Sequence, residues 1–555
     1  MSAVCYIIFY WAILLNAPVF SQAAPLNASA LAALNSVSST RFSQHLTFLG
    51  SDSLAGRGTG TRGGEIAAAY IAAELATLHI QPAGDEHSYY QQIPMHGSRP
   101  LANSSFQIFT KRGLVPLQLG RDYLLYNAGA QTFVPKPVPL VFVGYGIVAP
   151  EYDHNDYQAL NVVGKIVVFL SGEPASTEPS YFAASQPSIY SFPETKQKTA
   201  LARGAVGSIM IPMPRPESSR DWQAWLHEFA FEDISLFYSV AGNLSVVMNP
   251  QTASLLFAEA PYSLKQIFNM EAANNLRSFQ LAVSASFRGS FQQRDFLAPN
   301  VIGLLPGSEA EFKDSYVIVS AHYDHLGIGP AVETDSIYNG VFDNAAGVAA
   351  VLEIARALAL MPEKPKRSVL FLFLTGEEKG LLGSSYYVDH PVVPLYKTIA
   401  NLNVDGLAMF DTFNDVVGVG AELSTLGELL KEVAAELGLR VSSIPAQFPG
   451  LVSFARSDQI TFAKAGIPAL LVMEGSEYRH TSREAGLQRL IKWGQEIYHT
   501  PFDDLRQPIN LMAAEQHTQI LLALCLALAN GTTAPQWEKG VPYLAARLQA
   551  LAEKR

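Results

Sequence analysis

Three apolar runs in the second half of this chain each end in residues able to bind a metal ion. His322 and Asp324 follow VIVSA, Glu377 and Glu378 follow FLFLT, and Asp405 follows IANLNV. Imidazole and carboxylate are donor types that hold zinc and other divalent first-row metals. Asp343, in GVFDNAAG at the start of a helical run, adds a carboxylate whose two oxygens can bridge two metals. Taken singly, a His after a strand is ordinarily a hydrogen-bonded core or surface group, and the pair in TGEEKG an ordinary solvated turn. Their convergence at strand ends, in a chain only 16% charged, favours one shared site.

The elements that must position these groups follow from the hydrophobic periods. SYVIVSAHYD, SVLFLFLTGEE, TIANLNVDG and GIPALLVMEG read as strands, whereas VFDNAAGVAAVLEIARALAL and STLGELLKEVAAELGL have helical spacing. Apolar strands alternating with amphipathic helices predict an α/β unit, a mostly parallel central sheet flanked by helices. In such sheets ligands gather at the carboxyl ends of the strands. Between about residues 131 and 290 the pattern changes to short apolar runs broken by Pro and Gly, among them VPLVFVGYGIVAP and GKIVVFLSG, which predicts a β-rich insertion.

AHYDHLG, GVFDNAAG, TGEEKGLLGS, NLNVDG, SFARSDQITFAKAGIPALL and YHTPFDD together resemble the co-catalytic dizinc aminopeptidases, a superfamily that includes glutamate carboxypeptidase II, glutaminyl cyclases and the transferrin receptor. The resemblance covers most of 300–530, and LGSDSLAGRGTGTRGGEIAAAYIAAEL resembles the same family's amino-terminal segment. The inserted stretch is similar to a protease-associated domain. The resemblance implies a zinc exopeptidase fold with two Zn2+ per chain. Asp343 would bridge them, with His322 and Asp405 completing one site and Glu378 and His499 the other. Glu377 would be the general base, and Asp324 would orient His322 by accepting its second N–H; Asp503 would do the same for His499.

Two histidines compete for the last ligand position, because RHTSRE at His480 resembles YHTPFDD at His499. The Pro and the double Asp favour His499, and the segment 475–498 could then form a lid. The chain departs from the family pattern at Gln459, where some members carry His, and at Phe454, where some carry Tyr. These departures leave the oxyanion donor unassigned. Asp458 is read as a residue that supports the ligands from behind or shapes the pocket, not as a further ligand, and His325 as a supporting neighbour of the ligands or a bystander. The expected activity is removal of amino-terminal residues from peptide substrates, since Arg456 alone makes no clamp for a terminal carboxylate. A glutamate carboxypeptidase or dipeptidase, a glutaminyl cyclase and a receptor-like binding protein are the alternatives.

The bulk properties bound the rest. The 555 residues carry a net charge of −11 and no basic run, so nucleic acid is not an expected partner. An apolar stretch from about Val4 to Leu15, followed by Ser21-Gln22-Ala23, predicts a signal peptide over 1–23 and a periplasmic or secreted protein without stable membrane insertion. Cys5 would leave with the signal, and Cys525, in LLALCLALAN, reads as a core thiol. The expected organisation is 24–130 as the first part of the peptidase domain, 131–290 as the insertion, 291–530 as the dizinc domain and 531–555 as a tail.

Overall fold

The computed structural model describes residues 27–126, 132–158, 160–174, 176, 181–182, 188–214, 222–239, 243–407, 409–445 and 454–552. The expected signal segment and Cys5 lie outside the described residues.

The run SVLFLFL shows why these residues form the centre of a sheet. In the strand Ser368–Leu374, Val369, Phe371 and Phe373 enter one apolar cluster, while Leu370, Leu372 and Leu374 enter another on the opposite face. A period of two with both faces apolar is what a strand covered by helices on both sides requires. Its sheet has ten strands, led in order by Asp233–Leu236, Tyr90–Pro100, Phe291–Leu305 and Ser368–Leu374. Tyr316–His322, Thr398–Asn403, Ala469–Glu474, Asp415–Val419 and Arg440–Ser442 complete the row, and Gln81–Pro82 pairs with Phe291–Leu305 off this path. The four central strands, from Ser368–Leu374 to Ala469–Glu474, are mutually parallel. Antiparallel strands flank that centre on both sides.

The helices Ala28–Asn35, Ser39–Leu49, Ala346–Leu360, Leu426–Glu436 and Leu511–Asn530 pack on one face. Among the described residues Leu511–Asn530 is the one helix long and apolar enough to cross a membrane, and most of it, including Cys525, is buried in this core. The helix Gln459–Lys464 covers the other face. The carboxy-terminal segment is docked as well: the buried Trp537 donates its indole N–H to the Gly466 carbonyl, and Arg547 donates to the Thr398 carbonyl. The expected tail over 531–555 thus lies against the domain and contains the short helix Leu544–Ala552.

A second, eight-stranded sheet runs Gly113–Leu117, Ser105–Thr110, Phe279–Arg288, Phe133–Phe142, Ile166–Leu170, Gly207–Ile211, Leu244–Met248 and Tyr123–Leu125. This differs from the expected boundary at 131, since residues 105–125 already belong to the second sheet. The chain enters and leaves it through a two-stranded ribbon, Tyr90–Pro100 against Phe291–Leu305, that continues out of the first sheet. Within the stretch expected to be inserted, Asp233–Leu236 returns to pair with Tyr90–Pro100. Strand partners are chosen by tertiary packing and not by local sequence, which is why neither feature was visible in the hydrophobic pattern.

Candidate active site

The three ligand-bearing strands are neighbours, with Tyr316–His322 between Ser368–Leu374 and Thr398–Asn403. Being parallel, they present their carboxyl ends at one edge. His322 is the last residue of its strand, Glu377 and Glu378 occupy the turn after Gly376, and Asp405 follows Thr398–Asn403. Gly376 has φ +71°, a left-handed conformation that lets the chain turn directly off the strand. Asp343 comes from the segment Val341–Ala345 that leads into the helix Ala346–Leu360.

Asp343 divides its carboxylate between two groups. Its Oδ1 lies 3.2 Å from His322 Nε2, which is also 3.1 Å from Asp405 Oδ1. Its Oδ2 lies 3.2 Å from His499 Nε2, which is also 3.2 Å from Glu378 Oε2. His480 is elsewhere: its ring meets Asp411 Oδ1 at 2.9 Å and its side chain is 77% exposed, so it takes no part in this cluster.

The donor set fits metal ions. Ligands about 2.0 Å from a tetrahedral zinc stand roughly 3.3 Å apart, close to these separations. His322, Asp343 and Glu378 also offer donor atoms within 4.8 Å of one another. His499 Nε2 is buried and has no hydrogen-bond partner despite two carboxylate oxygens nearby. Such an atom points at a common centre, not at either oxygen.

Electrostatics agree with a site built for cations. Burial pushes the Glu377 carboxyl well above the ordinary carboxylate range, opposed by His322 and reinforced by Asp405, Glu378 and Asp458. Burial likewise raises Asp458, which is fully buried near Asp405 and Asp324. Burial alone would hold His322 down, but Asp405 and Glu377 raise its pKa well above the imidazole range. Without positive charge from outside, the histidines must supply it.

The supporting contacts differ from expectation in two places. His322 Nδ1 is 3.1 Å from the backbone carbonyl of Asp324, whereas the nearest Asp324 carboxylate oxygen is 3.9 Å away. That carboxylate instead accepts from Thr59 Oγ1 at 2.7 Å and from the Glu377 N–H at 3.3 Å. Asp503 does not orient His499. It accepts the N–H groups of Phe342 and Asp343 at 2.9 and 3.0 Å and so holds the loop carrying the shared carboxylate.

Other supporting residues were not singled out from the sequence. Arg57, fully buried, donates to the carbonyls of Tyr323, Leu49, Asn339 and Gly340, tying the His322 and Asp343 segments to the amino-terminal segment. Asn344 donates to the Val404 carbonyl and accepts the Gly406 N–H, linking the Asp343 loop to the Asp405 turn. His325, expected as a supporting neighbour or a bystander, has its Nδ1 2.6 Å from Glu378 Oε1, which fits the first of these. Arg57 lies in SLAGRGTGT and Asn344 in GVFDNAAG, so their places in those motifs were the available signal.

Gln459 is also buried. Its side chain accepts from Asn403 and donates to the Phe454 carbonyl, which makes it part of the packing beneath the edge. The Tyr498 ring stacks on His499 with centroids 3.9 Å apart. The segment read as a lid contains the helix Arg483–Glu496, and its Trp493 ring lies 6.2 Å from that of Phe342.

Residues 300–525 match the model of peptidase family M28. The chain is 29% identical over 244 residues to leupeptin-inactivating enzyme 1 of Streptomyces exfoliatus, covering 42% of this chain and 50% of that protein. It is 27% identical over 210 residues to aminopeptidase YwaD of Bacillus subtilis (strain 168), covering 37% and 39%. A probable glutamate carboxypeptidase of Zea mays, VP8, is 36% identical over 110 residues, covering 19% and 14%. The chain thus spans about half the length, or less, of these relatives. Among solved structures, the aminopeptidase from Aneurinibacillus sp. strain AM-1 shares the fold, with a TM-score of 0.54 and 18% identity over 92% of this chain and 97% of that one.

Proposed function

We propose that the protein is a two-zinc exopeptidase that releases residues from the free amino terminus of peptides, a reading supported by the match of residues 300–525 to the model of peptidase family M28. The carrying observation is the divided carboxylate of Asp343, one oxygen toward His322 and Asp405 and the other toward His499 and Glu378. Bound zinc lowers the pKa of a water toward neutrality and polarises a carbonyl. The remaining work falls to the protein. Glu377 accepts the proton of the attacking water on a carboxylate oxygen and delivers it to the leaving amine. Asp324 holds the Glu377 N–H and so fixes where that carboxylate begins.

The choice of peptide end rests on charge. Asp405, Glu378 and Asp458 make the potential around Glu377 negative, which suits the ammonium of a free amino terminus better than a terminal carboxylate. Arg57 directs its guanidinium at four main-chain carbonyls and is not available to clamp a terminal carboxylate. Within the same proposal, the second sheet is a protease-associated unit and the chain is exported, readings supported by the VFVGYGIVAPEY motif and by the apolar start.

Metal analysis paired with two substrate classes tests this. Purified protein should carry about two zinc per chain and hydrolyse amino-acyl arylamides in preference to peptides ending in glutamate. Activity confined to the glutamate peptides would overturn the choice of end, and absence of bound metal would overturn the enzyme.

A further inference from the structure

Residues 222–239 lie between Gly207–Ile211 and Leu244–Met248 of the second sheet; Trp222, Trp225, Leu226 and Phe229 pack against that sheet, whereas His227 and the residues from Phe231 to Leu236 reach the peptidase domain. Asp233–Leu236 joins the first sheet as its edge strand, with Asp233 opposite Ser98 and Leu236 opposite Met95. Glu232 accepts from Arg294, which also donates to the Gly60 carbonyl. The Phe231 ring stands edge-on to Tyr338, centroids 5.0 Å apart, and the Lys379 ammonium lies 5.4 Å from the Phe231 centroid. This arm thereby touches the segments on either side of the ligand edge.

His227, at the end of the short helix Trp222–Glu228, makes the most direct contact. Its Nε2 is 2.9 Å from the hydroxyl of Tyr338. Burial keeps the imidazole neutral, so Nε2 accepts from that hydroxyl, which also lies 2.9 Å from the Pro330 carbonyl, and the ring's one N–H is left for another acceptor. The main-chain carbonyl of His499 accepts from the same imidazole. Tyr338 is fully buried, and the two residues after it give their carbonyls to Arg57 before the chain reaches Asp343. His499 has φ +56°, a conformation unfavourable for a residue with a Cβ and kept only where its surroundings impose it. One imidazole thus spans two chain segments that deliver ligands to the same metal.

We propose that His227 is a positioning residue for the metal shared by His499, Glu378 and Asp343, so that an arm of the second sheet sets how tightly that ion is held. The inference rests on the reading of these residues as zinc ligands. It assigns the region beyond the first sheet a role in metal retention and none in contact with substrate. Groups that orient metal ligands are commonly worth about 10–100-fold in affinity.

The test uses the full chain with His227→Phe, which keeps an aromatic ring against Tyr338 and Phe231 but donates no hydrogen bond, and His227→Gln, which keeps a donor. Zinc affinities are read by competition with a chromophoric chelator, and thermal unfolding of the metal-free proteins serves as the folding control. His227→Phe should weaken one of the two zinc equivalents about 10–100-fold with the metal-free Tm unchanged, and His227→Gln should recover most of that loss. Wild-type affinity for both equivalents in His227→Phe overturns the proposal. So does an equal loss in both variants, or a loss accompanied by a fall in metal-free Tm, since either marks a packing role. If the wild-type protein binds no zinc, the proposed function itself fails, and this inference with it.

Discussion

The carboxylate of Asp503 receives the backbone N–H of Asp343 at 3.0 Å, across 160 residues of chain. Together with the Phe342 N–H at 2.9 Å, this contact decides where the shared carboxylate stands. Asp503→Asn would turn one acceptor into an amide donor facing these N–H groups. The expected cost is about 1–3 kcal/mol of stability and about 10–100-fold in zinc affinity, checked by denaturant unfolding and chelator competition. Unchanged zinc affinity would show that the loop holds its shape without the acid.

Glu377 is half-buried beside the ligands and has no place among the 3.1–3.2 Å contacts that join His322, Asp343, Glu378, Asp405 and His499. Glu377→Gln should therefore keep both zinc ions and lose turnover by at least about 100-fold, with KM little changed. Steady-state kinetics and metal content on the same preparation decide it. An active variant removes Glu377 as the base.

The two His-Thr sequences can be separated by metal content. His480→Ala should retain about two zinc per chain, since its ring meets only Asp411, whereas His499→Ala should retain about one. The reverse pattern would overturn the assignment.

Arg57 carries a buried charge whose partners are main-chain carbonyls, and burial lowers its pKa to about 10, so it stays protonated at neutral pH. Arg57→Met would leave those oxygens without donors and should lower stability by about 3 kcal/mol or more, measured in denaturant. A loss within about 0.5 kcal/mol would mean that water replaces the guanidinium freely.

A pH dependence follows from His45 on the helix Ser39–Leu49. Burial lowers its pKa from 6.5 to about 4, and its Nδ1 is 2.7 Å from Tyr70 Oη. Between pH 6.5 and 4 the unfolded chain binds a proton there that the folded chain does not. The stability that neutral His45 contributes is therefore fully present above pH 6.5 and is lost as pH falls toward 4, at up to about 1.4 kcal/mol per unit. His45→Gln should remove this slope; identical pH profiles for the two proteins would contradict it.

Much of the site was legible from the order of residues along the chain. An apolar run long enough for a strand, followed by His or an acid, places a donor at a strand end wherever helices cover both sheet faces, and His322, Glu378 and Asp405 stand there. That information is local, because side-chain period and strand length are properties of consecutive residues. The choice between His480 and His499 was not local, since both sit in similar short motifs and only the packing brings one of them to Asp343. Thr59, Arg57, Asp503 and His227 act on segments distant in sequence, and the second sheet begins at residue 105 because of partners found beyond residue 270. Sequence thus determined which donors exist and which strand ends present them. Tertiary structure decided which donors meet and what holds them there, because hydrogen bonds and strand pairing depend on distance in space.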